Sequence, residues 1–173
     1  MPKITVVSLK KSLSFKSNKE LIQEIANLYK KFSVVKDYYQ AKEGNPEEVI
    51  EKYKNIIKKE FSYGYSRGMP KARLGVARKA VQDFKKLSNN PEFLVDIMLT
   101  FVEEISNFNT EFGADRESYY VSPEGMYHDA LLMLKKSHLL SKFEIRTKLI
   151  VKNATDGWGH FDTLEESYQE FYD

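Results

Sequence analysis

The chain has 173 residues, 27 Lys and Arg against 25 Asp and Glu for a net charge of +2, and no cysteine. That length suits one domain spanning 1–173 with a core large enough to need no staples, and the missing thiols exclude disulfides, thiol catalysis and thiolate metal sites. With 42% hydrophobic and 30% charged residues the composition is that of a folded globular chain and excludes a disordered one.

The opening segment, MPKITVVSLKK, has no apolar run suited to a signal peptide, and no later segment approaches the length of a membrane span. A cytoplasmic protein without a membrane partner is therefore expected. Residues 1–15 carry the weakest pattern, with a short opening helix over 8–15. Ser17 and Glu20 have capping-box spacing, and Leu21, Ile25, Leu28, Phe32, Val35 and Tyr39 then follow a three-four rhythm to about Ala41. That rhythm fits either one helix or two broken near Ser33.

Asn45-Pro46-Glu47, Asn90-Pro91-Glu92 and Ser122-Pro123-Glu124 each combine a capping side chain, a proline at the first helical position and an acid favoured by the helix dipole. They predict helices over 46–61, 91–112 and 123–136, with 113–121 as a connecting loop whose Tyr119 and Tyr120 dock on helices. Further helices are expected over 70–87, over 139–154, and from an Asp162 cap to the C-terminus with Leu164, Tyr168 and Phe171 inward. The helix over 91–112 stands apart. Asp96, Thr100, Glu103, Asn107 and Glu111 form one narrow polar stripe, and almost everything else on the cylinder is apolar. Such a helix must be packed on several sides, so it is expected at the centre of the fold. The fold class is all-α: seven or eight helices packed as antiparallel hairpins, with the matching openings at 45 and 90 suggesting a short HEAT-like repeat array.

Charge is segregated along the chain. Residues 52–86 hold eleven Lys and Arg against Glu60 and Asp83, whereas residues 87–129 hold nine acids against Arg116 alone. On the helix over 70–87, Lys71, Arg78, Lys79, Lys85 and Lys86 fall on one side, opposite Val76, Ala77, Ala80, Val81, Phe84 and Leu87. A solvated face, matched by the acidic block, is the plainer account; an anion- or partner-binding face is the functional one. The preceding loop, with Tyr63, Tyr65 and Arg67 among glycines, has the aromatic-basic mixture of single-strand nucleic-acid binders. Arg73 projects onto the apolar face, where its charge requires a carboxylate from a neighbouring helix.

Glu124 and His128 have the i,i+4 spacing of two metal ligands, but both project onto the polar face and read as a surface pair. His160 and Asp162 lie in Gly157-Trp158-Gly159-His160-Phe161-Asp162. There Gly157 is expected to end the preceding helix, Trp158 to plug the core and Asp162 to cap the last helix. A metal or acid–base site joining Glu124, His128, His160 and Asp162 is the alternative. No phosphate loop, nucleophile elbow or zinc-protease motif is present.

Over 71–86 (KARLGVARKAVQDFKK), 111–131 (EFGADRESYYVSPEGMYHDAL) and 157–171 (GWGHFDTLEESYQEF), the chain resembles a family of small, uncharacterised bacterial proteins classed as a domain of unknown function. The resemblance implies a bacterial, cytosolic, all-helical protein with no established activity, and carries over no functional residues. The reading is a binding or scaffold module with a protein partner and no cofactor. One alternative is a nucleic-acid-associated protein using the basic helix and the loop over 62–68. The other is a metal-dependent or hydrolytic enzyme using the histidines.

Overall fold

The computed structural model describes residues 3–63 and 68–172. Among these the chain forms nine α-helices and no strand: α1 Val6–Leu13, α2 Asn18–Lys31, α3 Ser33–Glu43, α4 Pro46–Phe61, α5 Leu74–Lys85, α6 Pro91–Phe112, α7 Ser118–Lys136, α8 Leu140–Lys152 and α9 His160–Tyr172. No described helix is long and apolar enough to cross a membrane.

Several helices begin where capping chemistry demands. The Ser17 hydroxyl accepts from the Glu20 N–H while Glu20 accepts from the Ser17 N–H, so two otherwise free donors are satisfied. Asn45 accepts from the Glu47 and Glu48 amides and Asn90 from the Glu92 amide, each followed by proline in the first turn. At its other end α6 stops on Gly113, whose φ of 66° is the left-handed cap conformation that glycine adopts without strain. Between α2 and α3 the backbone is extended at Phe32, so the rhythm over 21–39 belongs to two helices.

Among the described residues the helices number nine rather than seven or eight, and three helix starts differ most from expectation. α5 begins at Leu74 rather than near 70, because Ala72 is held in a left-handed turn (φ 50°) that a continuing helix cannot contain. Its N–H donates to the Glu60 carbonyl at 2.7 Å and its carbonyl accepts from Tyr119 Oη at 2.6 Å. α7 begins at Ser118, so Ser122 is no cap and Pro123 lies buried inside the helix. Proline removes the hydrogen bond to the carbonyl four residues back; that carbonyl, of Tyr119, instead accepts from Asn109 Nδ2 of α6 at 2.8 Å. α9 begins at His160, which places Asp162 within its first turn rather than at the cap.

α6 is the centre of the packing and touches α4, α5, α7 and α8. Val95, Ile97, Met98, Leu99, Phe101, Val102 and Ile105 are all fully buried. Around them pack Ile57 of α4, Phe84 of α5, Tyr127, Leu131 and Leu134 of α7 and Leu164 of α9. The polar stripe of α6 does not open to solvent throughout. Arg146 of α8 reaches across it, donating from Nε and Nη2 to the Glu103 carboxylate at 2.7 Å each, from Nη1 to Asp96 Oδ1 and from Nη2 to Thr100 Oγ1 at 3.0 Å. Lys54 of α4 closes the other oxygen of Asp96 at 2.6 Å. Burial works against the Arg146 charge, but the hydrogen bonds and charges of Glu103 and Asp96 outweigh it and hold the guanidinium above its usual pKa.

Arg146→Ala leaves two part-buried carboxylates short of their cation. A loss of about 2 kcal/mol is expected, between the values for exposed and fully buried pairs. A denaturant titration beside the exposed control Lys148→Ala checks it; equal stability of the two variants would refute a structural role for the cluster.

Candidate functional site

Three places on the molecule carry chemistry beyond packing: the outer face of α5, a histidine buried between helices, and the N-terminal helices.

α5 buries Ala77, Ala80, Val81 and Phe84 and turns its cations outward. Arg78, Lys79 and Lys85 on α5 and Lys86 at its cap are all exposed, whereas Lys71, expected on the same helix face, is exposed in the segment before α5. Lys79 and Lys86 share Asp83, and Arg78 donates to Ser122 Oγ at 2.7 Å. The acidic block does not cover this face: Asp96 and Glu103 are taken by Lys54 and Arg146, and Glu92 by Lys142 of α8 at 2.6 Å. Tyr63 is exposed and packs its ring 5.1 Å from that of Phe112. Tyr65 and Arg67 lie outside the described residues.

Arg73 has the carboxylate partner its position called for, with the burial reversed. It precedes α5 instead of occupying the apolar face. Its side chain is 57% exposed, whereas that of Glu60, at the end of α4, is only 5% exposed. The guanidinium donates from Nε and Nη2 to the two Glu60 oxygens, 2.7 Å each, a bidentate fork that satisfies the buried carboxylate.

Of the four residues considered as a metal or acid–base group, only His160 and Glu124 meet. His160 is fully buried; Nδ1 is 2.7 Å from Glu124 Oε1 of α7, and Nε2 is 2.8 Å from Ser106 Oγ of α6. His128 instead lies 4.0 Å from Glu170 and edge-on to Phe171 of α9, so the expected surface pair with Glu124 does not form. Asp162 is exposed. No group of three His, Asp or Glu among the described residues is arranged to hold a metal ion.

Ser106, His160 and Glu124 make the contacts of a nucleophile, a base and an orienting acid, yet the surroundings lack what acyl transfer needs. Ser106 lies in the middle of α6, where backbone N–H groups are spent on the helix and cannot stabilise an oxyanion. Its side and that of His160 are closed to solvent, at 2% and 0% exposure. The relay is a polar tie among α6, α7 and α9. His160, not Trp158, fills the core. Trp158 is 62% exposed because the 3-10 turn Gly157–Gly159 puts it at φ 59°, turning the indole out to stack on Tyr120. Nor does Gly157 end the preceding helix, which closes at Lys152. Ser106 could not be found from sequence: a serine inside an apolar helix gives no sign of the histidine that reaches it from 54 positions away.

The N-terminal helices are the unexpected feature. α1, α2 and α3 bury no residue. Ile22, Ile25, Leu28, Tyr29, Phe32, Val34 and Tyr38 are each more than 40% exposed. α2 and α3 lean on one another, with Tyr29 and Tyr39 edge to face at 6.1 Å, and α3 packs on α4. Between them runs an open groove of ≈ 470 Å³ lined by Ile22, Ile25, Ala26, Tyr29 and Tyr39, with Lys30 and Glu43 on its rim. The three-four rhythm is legible in the sequence, but among the described residues this apolar side stays largely exposed.

Hydrogen bonding by Arg73 holds the Glu60 carboxyl below the usual glutamate range. A depressed carboxylate stabilises the fold above its unfolded pKa, and the contribution is lost as pH falls through the folded value. Arg73→Ala should therefore lower the melting temperature at neutral pH and narrow the gap to wild type on acidification. Parallel melting-temperature-against-pH curves for the two proteins would contradict the pairing.

No significant match exists among curated proteins or among solved structures. Residues 4–172 match a family of unknown function, DUF6155. That coverage takes in every helix described above, and the chain belongs to this family.

Proposed function

We propose that the chain is a protein-interaction module whose binding element is the N-terminal arm of α1–α3, and that its occupant is an apolar helical face. One observation carries this: an amphipathic helix of fourteen residues, α2, keeps its apolar side in solvent, and the helices on either side of it bury nothing either. Contiguous apolar surface of that kind marks an interaction site in a soluble protein. Its form suits a helix, since apolar residues at three-four spacing present ridges that another helix fills. From α2 onward every consecutive pair of helices is in contact. In this reading the arm continues a series of stacked antiparallel hairpins, with its last face awaiting a partner.

A photo-crosslinking amino acid at position 25, introduced into the protein in its native cell, should give a discrete covalent adduct. The same probe at exposed Lys148 should not. If position 25 gives no more adduct than position 148, the arm is not a binding element.

A second reading rests on the exposed basic face along α5, where among the described residues only Lys79 and Lys86 form close ion pairs, both with Asp83. A polyanion fits such a face, with affinity falling as salt rises. Fluorescence anisotropy with single-stranded RNA, double-stranded DNA and heparin at low salt should show salt-sensitive binding. Arg78→Glu with Lys85→Glu should abolish it. Equal, negligible binding by both proteins would eliminate the nucleic-acid alternative.

A further inference from the structure

We infer that the arm's occupant is the arm of a second copy of this chain, with the two α2 helices antiparallel about a two-fold axis. This rests on the reading of the arm as a binding element and names its partner.

On α2, Leu21, Ile25 and Leu28 recur at spacings of four and three, with Phe32 four further on at the extended cap residue, the seam of two helices packed side by side. Ile22 and Tyr29 widen that seam along one edge. The stripe is self-complementary. In an antiparallel pair, Ile25 of one copy packs beside Leu28 of the other, and Leu21 beside Phe32. Each layer thus matches an aliphatic residue to another or to an aromatic one. A two-fold interface uses the same patch on both copies, so one apolar stripe suffices for both partners.

Charge selects the orientation. The residues flanking the seam on its other edge are Glu24 and Lys31, seven apart, of opposite sign. Antiparallel packing places this edge against the same edge of the partner in reverse order, so Glu24 of each copy faces Lys31 of the other, twice. Parallel packing would bring Glu24 beside Tyr29 and leave both charges without a match. Glu24 holds Lys16 of its own chain through Oε2, an exposed pair that gives way without disturbing the core. Two turns of seam are too short to hold a dimer alone. α3 lies against α2 through Tyr39, so two arms bring four helices together in the manner of a four-helix bundle.

The purified full chain should sediment as a dimer that dissociates on dilution. Ile25→Asp should give a monomer with unchanged core melting, because Ile25 is 45% exposed and packs on nothing in the core. Glu24→Lys and Lys31→Glu should each weaken the dimer roughly ten-fold, since either places two like-charged pairs at the rim. The double reversal should restore wild-type affinity. Because the chain has no cysteine, Glu24→Cys with Lys31→Cys provides a second readout: the two thiols are too far apart on one helix to join, so oxidation should yield a covalent dimer only. A monomeric wild type at all accessible concentrations overturns the inference while leaving the crosslinking result at position 25 to judge the arm separately. A dimer that tolerates Ile25→Asp, or one that the double reversal fails to restore, overturns it as well.

Discussion

The fold depends on one constraint: α6 has too much apolar surface to be covered from one side. Its buried residues point in nearly every direction around the cylinder, so helices must close on it from several sides, and α4, α5, α7 and α8 do so. That enclosure strands the polar stripe among neighbours, where unpaired carboxylates would be costly. Arg146 and Lys54 resolve the conflict. A planar guanidinium with five donors serves Asp96, Thr100 and Glu103 together and thereby sets where α8 lies along α6.

The same pairings explain the surface. A net charge of +2 with strongly segregated blocks leaves two outcomes: neighbouring blocks cancel, or they do not. Here Glu92, Asp96 and Glu103 of α6 are paired with cations from α4 and α8, while the cations of α5 face solvent with Asp83 as their local counter-charge. An apolar analogue of this imbalance occurs at the N-terminus, where α3 packs on α4 but the apolar side of α2 stays largely exposed. Both are surfaces left exposed among the described residues.

The buried Ser106–His160–Glu124 relay shows why contact order among side chains does not make a catalytic site. Hydrogen-bond distances of 2.8 and 2.7 Å satisfy both ring nitrogens of a fully buried imidazole. Satisfaction is what burial requires of any histidine. Catalysis requires in addition an open approach and donors waiting for developing charge, and a mid-helix serine has neither. The relay instead registers three helices against each other, and Tyr120, packed edge-on to His160 and stacked under Trp158, closes it from outside.

Local sequence determined what local physics controls. Capping side chains and first-turn prolines set the starts of α4 and α6, the Ser17–Glu20 box set α2, and periodicity marked α6 as central. The ion-pair need of Arg73 was also legible, because a guanidinium near apolar residues must find a carboxylate. What failed were features decided by a distant partner. Ser122-Pro123-Glu124 has the same local signature as the true helix starts, but Asn109 supplies the hydrogen bond that proline removes, so α7 runs through it. Ala72 leaves helical geometry because Glu60 and Tyr119 claim its backbone. Trp158 turns outward and His160 inward because Ser106 and Glu124, from two other helices, offer the imidazole partners that the indole could not use. The amphipathic rhythm of α2 was visible in sequence, yet only the tertiary structure decided that it would stay uncovered: periodicity states that a helix has an apolar face, and the placement of the other helices determines whether anything in the same chain reaches it.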